Sequence, residues 1–241
     1  MDYKKQLVKF KIDKIAELSV ILFVVPFVIA AALNILLVKR PLLLTGKVYF
    51  DIMIMIALYL VGLVCHEGLH ALGAMLFAKK TPADISFGAN LKQGMLYCHV
   101  KTPMKNASYQ ALLLLPVIVT GIIPLIISVV FGNIFLVVAF SLLTSGGAGD
   151  IIMFSSLLKH DKNQLILDHA QAPAYYLVYP ENELPETFVE VTETQEEELL
   201  EEMKKPNQGS RNNMLKILAV MIFLVLAVAG IFVAALFMKL F

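Results

Sequence analysis

Charged residues and cysteines are both scarce in this chain of 241 residues, and each shortage excludes a class of protein. Asp, Glu, Lys and Arg make up 16% of the residues, whereas a soluble globular domain has about 25%. Two cysteines, Cys65 and Cys98, are too few for a disulfide framework. The formal net charge is only +1, so no overall field indicates nucleic acid as a partner.

Apolar residues are in excess, and they collect in long runs. They account for 59% of the chain, against about 45–50% in a soluble domain, and a helix needs roughly 20 of them to cross a bilayer. The sequence therefore predicts an all-α polytopic membrane protein of about five transmembrane helices, with the lipid bilayer as a partner. The predicted spans are residues 18–38, 50–77, 109–131 and 134–158, which form a membrane core over 18–158, and a C-terminal transmembrane helix within 213–241.

Three segments lie outside these spans. Residues 1–17 carry five lysines among apolar residues, which is typical of a basic interfacial arm, either a short helix on the membrane surface or a solvated arm. Residues 81–109 place β-branched and aromatic residues between glycines, which indicates a small β-rich insertion after the second span. Residues 159–212 include ten glutamates between 181 and 202, and this acidic segment is predicted to be an amphipathic helix or a disordered linker.

The lysines also predict an orientation. The N-terminal arm and the loop 78–109 each hold five lysines, and loops rich in Lys and Arg stay in the cytoplasm. A five-span topology in a bacterial cell membrane then has the N-terminus, this loop and the acidic segment 159–212 in the cytoplasm. In that topology the loop after the first span lies outside the cell, and it holds Lys39, Arg40 and Lys47. This placement contradicts the same rule.

His66, Glu67 and His70 form an HExxH motif inside the second predicted span. Residues four apart share one face of a helix, so the two imidazoles can hold one metal ion, and zinc accepts such nitrogens. Glu67 is rotated by about 100° from His66, from where it can take a proton from a zinc-activated water. The motif predicts a zinc-dependent metalloendopeptidase with one Zn²⁺ per chain. The alternative is a shorter span with the motif merely at the membrane interface.

Asp150 is the predicted third metal ligand. A carboxylate in an apolar span is costly and demands a partner, and a catalytic zinc site needs a third protein ligand. In the five-span topology the second and fourth spans run in the same direction, and Asp150 lies about 16 residues into its span, similar to His66 and His70 in theirs. Three glycines just before Asp150 permit close helix approach or a local break. The alternative is a helix that ends early, with Asp150 at the aqueous boundary.

The other histidines and cysteines are weaker candidates for metal ligands. Cys98 and His99 are neighbours in the β-rich insertion, and a strand directs neighbouring side chains to opposite faces, so both are not expected to bind one ion. His99 either touches substrate or, as we favour, is an ordinary surface histidine. Cys65 is expected to be a buried small residue, and His160 and His169 are expected to be solvated loop residues.

The combination of HEGLH in one span with an aspartate in a glycine-rich stretch two spans later resembles the site-2 protease family of intramembrane metalloproteases. The resemblance implies His66 and His70 as zinc ligands, Glu67 as the base and Asp150 as the third ligand. The order of HEGLH, FG…YCHVKTP, proline in the next span, SGGAGD and DHAQAPAYYLVYP over residues 60–180 resembles still more a family of small bacterial membrane proteins described as zincin peptidases. That resemblance implies the zinc site but supplies no substrate.

The predicted function is hydrolysis of a peptide bond in or next to the membrane, with a membrane protein or peptide as the substrate. Two alternatives belong to other classes. The first alternative is a non-hydrolytic metal-binding transporter or sensor, because ionisable residues inside a membrane also mark ion paths. A membrane scaffold that acts through its acidic cytoplasmic segment is the other.

Overall fold

The structure is a computed structural model, and it describes residues 3–33, 47–90, 95–170 and 172–204. The predicted C-terminal helix within 213–241 and the turn at Lys39 and Arg40 lie outside these residues. The chain divides into two units, Met1–Leu200 and Glu201–Phe241, and the helices and strands that build the site all belong to the first.

The described part of the chain is mostly helical, with small sheets. In chain order its elements are β1 (Tyr3–Lys9), α1 (Ile12–Leu33), α2 (Val48–Ala78), β2 (Ile85–Asn90), β3 (Met95–Val100), β4 (Met104–Lys105), α3 (Asn106–Pro116), α4 (Ile123–Phe131), α5 (Ile134–Gly146), α6 (Ala148–Leu157), β5 (Leu165–Asp168), β6 (Ala174–Pro180) and α7 (Glu193–Lys204). A π-helical segment, Val117–Ile122, joins α3 to α4.

Three helices in the described residues are long and apolar enough to cross a membrane. They are α1, α2 and the continuous helix Asn106–Phe131, while α5 and α6 form a pair bent by 41° that counts as a fourth span if it is taken as one. These helices identify a membrane protein. The fifth predicted span lies in the part of the chain that is not described, so the number five stays a prediction.

The helix Asn106–Phe131 is irregular in its middle because prolines lie at both ends of the irregular part. Pro124 has no N–H to donate to the Thr120 carbonyl one turn earlier, and Pro116 likewise leaves a carbonyl without its donor. The π-helical segment Val117–Ile122 lies between them, as expected where the regular hydrogen-bond ladder is interrupted. It packs closely on α5, since a Cβ at Gly121 would lie 2.7 Å from the Thr144 Oγ1 atom.

The strands form two antiparallel sheets. β2 pairs with β3, and a four-stranded sheet has the order β1-β6-β5-β4. The second sheet corrects the sequence prediction for the N-terminal arm: residues 3–9 are a strand paired with 174–180, not an interfacial helix, and the following helix already begins at Ile12. Within the acidic segment, residues 193–204 are helical, so a disordered linker is wrong there.

The main hydrophobic core joins the four-stranded sheet to the ends of α2, α3 and α6. Its buried residues are Ala74, Val100, Met104, Tyr109, Leu112, Leu113, Leu157, Ile166, Tyr175 and Leu177. Asn106 ties the same region together, because its buried amide donates to the carbonyls of Leu157, His160 and Asp161 at 2.9, 3.1 and 3.0 Å. The sheet is therefore fixed against the helix ends nearest the HExxH motif.

Candidate metal centre

The structure brings Asp150 to both histidines of the HExxH motif. The Nε2 atom of His66 lies 3.0 Å from Asp150 Oδ2, and the Nε2 atom of His70 lies 3.4 Å from Asp150 Oδ1. All three residues are at most 8% exposed. His66, Glu67 and His70 also place one ligand atom each within 4.8 Å of one another. The two helices α2 and α6 thus meet at one compact polar cluster among apolar surroundings.

The donor set fits zinc. Two ligands that hold tetrahedral zinc at about 2.0–2.2 Å lie about 3.3–3.5 Å apart, which is close to the two separations between Asp150 and the imidazoles. Two imidazole nitrogens and one carboxylate oxygen also match the three protein ligands of a catalytic zinc site. Glu67 and the two histidines place one ligand atom each within 4.8 Å of one another, whereas Asp150 lies 3.0 and 3.4 Å from the two Nε2 atoms, as the prediction of Asp150 as the third ligand requires.

Asp150 reaches the histidines because the chain bends just before it. The break predicted for the glycine-rich stretch lies at Gly147, between α5 and α6, and Asp150 follows in the first turn of α6. A Cβ at Gly147 would lie 2.5 Å from the Val117 Cγ2 atom. Glycine at this position therefore permits the close packing against the π-helical segment that brings α6 to α2.

Thr120, which the sequence did not single out, fixes the ring of His66. Its hydroxyl donates to the Pro116 carbonyl at 2.8 Å, and its Oγ1 atom lies 3.3 Å from His66 Nδ1. A hydroxyl has a single hydrogen, so Nδ1 must be the donor in the contact with Thr120. A neutral His66 then carries its proton on Nδ1 and presents the Nε2 lone pair to a metal, as ligating histidines do. The one feature of the sequence that could have indicated Thr120 is the pair of prolines, Pro116 and Pro124, that flank the π-helical turn.

Strand β3 lies directly over Glu67. The backbone of Cys98 lies near the Glu67 carboxylate. In the hairpin Cys98 is paired with Phe87. The β-rich insertion therefore packs against α2 beside the site.

A second polar cluster anchors β3, and sequence reasoning missed it. The Asp168 carboxylate accepts from the Tyr109 hydroxyl at 2.7 Å and from the Val100 backbone N–H at 3.4 Å, and it lies 3.2 Å from His99 Nδ1. The side chain of His99 is only 16% exposed, so the expectation of an ordinary surface histidine is wrong. Three elements, β3, α3 and β5, meet at this one carboxylate.

Burial of Cys98 predicts an unreactive thiol. Removal from water, followed by the charges of Glu67 and Asp168, raises the pKa of Cys98 to about 12. Thiolate is the reactive form, so in a Cys65→Ser variant at pH 8 we expect alkylation by iodoacetamide about a thousandfold slower than for an ordinary thiol of pKa about 8.5. Mass spectrometry measures the rate. Cys98 should alkylate at the ordinary rate only after the protein is unfolded in detergent. An ordinary alkylation rate in the folded protein would contradict the docked position of β3.

Comparisons with known proteins agree with this site. Residues 59–165 match the model of the family described as "Putative zincin peptidase", a range that holds both histidines, Glu67 and Asp150. The resemblance to that family is therefore confirmed. The chain is also 29% identical over 121 residues to an uncharacterized 24.7 kDa protein in the gap 5′ region of Pyrococcus woesei, and the match covers 49% of this chain and 52% of that protein. The chain thus spans about half the length of this relative. No solved structure matches.

The family match and the apolar helices thus indicate a membrane protein similar to that family over residues 59–165, with a His66–Glu67–His70 group that could hold a metal ion.

Proposed function

We propose that this protein is an intramembrane zinc metallopeptidase, which hydrolyses a peptide bond in or next to the membrane. The observation that carries the proposal is the contact of Asp150 with the Nε2 atoms of both HExxH histidines, inside helices that are long and apolar enough to span a bilayer. Three ionisable side chains inside membrane helices cost free energy, and residues of this kind mark functional sites. The resemblance to site-2 proteases agrees with the same ligand set.

Each side chain has a role in the proposed reaction. His66, His70 and Asp150 would hold one Zn²⁺, which when bound polarises a carbonyl and activates water. Thr120 holds the ring of His66 through Nδ1. Glu67 accepts a proton from the attacking water and passes it to the departing amine.

The proposed partners follow from this setting. The lipid bilayer surrounds the helices, and the substrate is a membrane protein or peptide. Nucleic acid is not proposed as a partner because the chain is nearly neutral overall.

The metal content of the purified protein tests the proposal. We expect one zinc per folded chain in detergent, and we expect its loss in His70→Ala and in Asp150→Ala because each removes one of three ligands. The matched controls are His160→Ala and Asp161→Ala, which change the same residue types in the loop after α6 and should keep the metal. Elemental analysis gives the stoichiometry, and circular dichroism verifies folding. Folded wild-type protein without zinc would overturn the proposal.

A further inference from the structure

A cavity of about 300 Å³ opens between helix α7, strand β3 and the four-stranded sheet. Its size is at the lower end of the range for ligand-binding pockets. We name it the α7 cavity, and its polar and aromatic lining residues are His99, Lys101, Asp168, His169, Tyr176 and Glu196. Among the described residues that line it none is a predicted metal ligand or Glu67, so the α7 cavity is separate from the metal centre.

Two opposite charges face the α7 cavity without neutralising each other. Lys101 follows β3 and Glu196 lies in α7, and the described residues contain no ion pair between them. The Lys101 ammonium reaches the Ala83 carbonyl only at a long 3.4 Å, and one Glu196 oxygen accepts from the Tyr176 hydroxyl at 2.8 Å. An ammonium carries several donors and a carboxylate several acceptor sites, so both groups keep capacity for a ligand.

The two histidines of the cavity have opposite hydrogen-bonding roles. The Nδ1 atom of His99 lies 3.2 Å from an Asp168 carboxylate oxygen, and an ionised carboxylate only accepts, so a neutral His99 keeps its Nε2 atom as an acceptor. The Nδ1 atom of His169 accepts from the Ala172 backbone N–H at 3.0 Å. Burial lowers the pKa of His169, so its ring is neutral near pH 7 and its Nε2 atom is a donor. The cavity therefore offers both acceptors and donors.

A second metal ion matches this lining poorly, although the lining contains two imidazoles and two carboxylates. A histidine that ligates through Nε2 carries its proton on Nδ1, whereas His169 Nδ1 accepts a hydrogen bond. Among the described residues, the three metal-binding side chains whose ligand atoms lie within 4.8 Å of one another are those of the HExxH motif. A simple anion also fits poorly, because the carboxylates of Asp168 and Glu196 would repel it.

We propose that the α7 cavity binds a small zwitterion, either a free amino acid or a short peptide with free termini. Its carboxylate lies at Lys101 and its ammonium lies at Glu196, because hydrogen bonds between ionised partners are stronger than those between neutral ones. No residue of the metal centre lines the cavity, so this binding needs neither zinc nor the proposed function. His99 and Asp168 line the cavity and also meet at β3, so an occupant contacts the residues that hold this strand next to Glu67.

Isothermal titration calorimetry tests the binding on the full chain in detergent, with Glu67→Gln to prevent cleavage of the probes. The probe is the dipeptide Ala-Ala, and its two blocked forms are N-acetyl-Ala-Ala, which lacks the ammonium, and Ala-Ala amide, which lacks the carboxylate. We expect Ala-Ala to bind at least about tenfold more tightly than either blocked form. Free alanine is titrated alongside. Tighter binding of alanine than of Ala-Ala assigns the cavity to amino acids, and weaker binding assigns it to peptides.

Two substitutions assign each charge of the ligand to a side chain. Lys101→Met should weaken the binding of Ala-Ala by about tenfold without further weakening that of Ala-Ala amide, and Glu196→Gln should weaken Ala-Ala without further weakening N-acetyl-Ala-Ala. Glutamine at position 196 can still accept from the Tyr176 hydroxyl. The matched controls are Lys105→Met and Glu198→Gln, which change exposed residues outside the lining and should bind Ala-Ala as the parent protein does.

Several results would overturn this inference. They are the absence of binding by both Ala-Ala and alanine, equal binding of the blocked forms, and unchanged binding in both Lys101→Met and Glu196→Gln. Binding of inorganic phosphate in place of the zwitterions, with its loss in Lys101→Met, would make the cavity an anion site instead. Zinc bound beyond one per chain and lost in His99→Ala would make it a metal site instead. The proposed function is judged separately, by the zinc that His70→Ala and Asp150→Ala remove and by peptide cleavage.

Discussion

Peptide hydrolysis should fall by about 10²–10⁴-fold when Glu67 is replaced by glutamine, because a positioned general base contributes this much to the rate. Glutamine has the same size, but it cannot take a proton from water. The zinc should remain bound at one per chain, since His66, His70 and Asp150 are unchanged and hold the contacts that define the site.

The measurement combines cleavage rates of a membrane-spanning peptide in vesicles with the zinc content of the same preparations. The matched control is Glu17→Gln, a glutamate in α1 whose side chain is exposed and pairs with Lys14. It should change neither quantity. Loss of zinc together with activity would make Glu67 a ligand rather than the base. Equal activity in Glu67→Gln and the wild type would rule out the proposed role, and bound zinc without any cleavage in the wild type would favour a metal-binding transporter or sensor.

The histidine pair and its aspartate could be anticipated from sequence for different reasons. His66 and His70 are related by one turn of the same helix, so their proximity is a local property. Asp150 is 84 residues from His66, and its approach was inferred from the cost of a carboxylate in an apolar run. The structure brings these side chains together, and their metal-binding roles stay predictions that the zinc measurement tests.

The residues around this centre could not be anticipated, because their contacts are long-range and their types are common. Thr120 is one of many hydroxyl residues in apolar helices, and its role depends on the π-helical turn between two prolines. In the sequence, Asp168 is typical of an acidic loop residue and Tyr109 of an aromatic residue near the start of a helix. Only the tertiary structure brings the Tyr109 hydroxyl within 2.7 Å of the Asp168 carboxylate.

The N-terminal strand was missed for a related reason. The seven residues YKKQLVK mix lysines with apolar residues and suit a surface helix as well as a strand. Their partner strand, 174–180, is more than 160 residues away in the chain. Strand formation depends on packing against such partners more than on intrinsic preference, so no local pattern distinguished the two.

Asp168→Ala should give a large loss of stability. It would leave the Tyr109 hydroxyl, the Val100 N–H and His99 Nδ1 without their acceptor. Removing the shared acceptor of these part-buried donors costs about 3 kcal/mol, which lowers the thermal midpoint of a protein of this size by roughly 10 °C. Thermal unfolding of the detergent-purified protein measures the shift.

The control for this change is Asp161→Ala, because the Asp161 carboxylate accepts one exposed hydrogen bond, from the Asn163 backbone N–H at 2.7 Å. Its midpoint should move by no more than about 2 °C, as surface substitutions do. Asp168→Ala should also free β3 from α3 and β5 below the unfolding temperature, so the partly buried Cys98 thiol should regain water and alkylate faster. Equal midpoints for the two alanine variants would show that Asp168 does not hold the sheet to the helices. A lowered midpoint with unchanged Cys98 reactivity would show that β3 is held over Glu67 by other contacts, the hairpin partner β2 and the core residue Val100 among them.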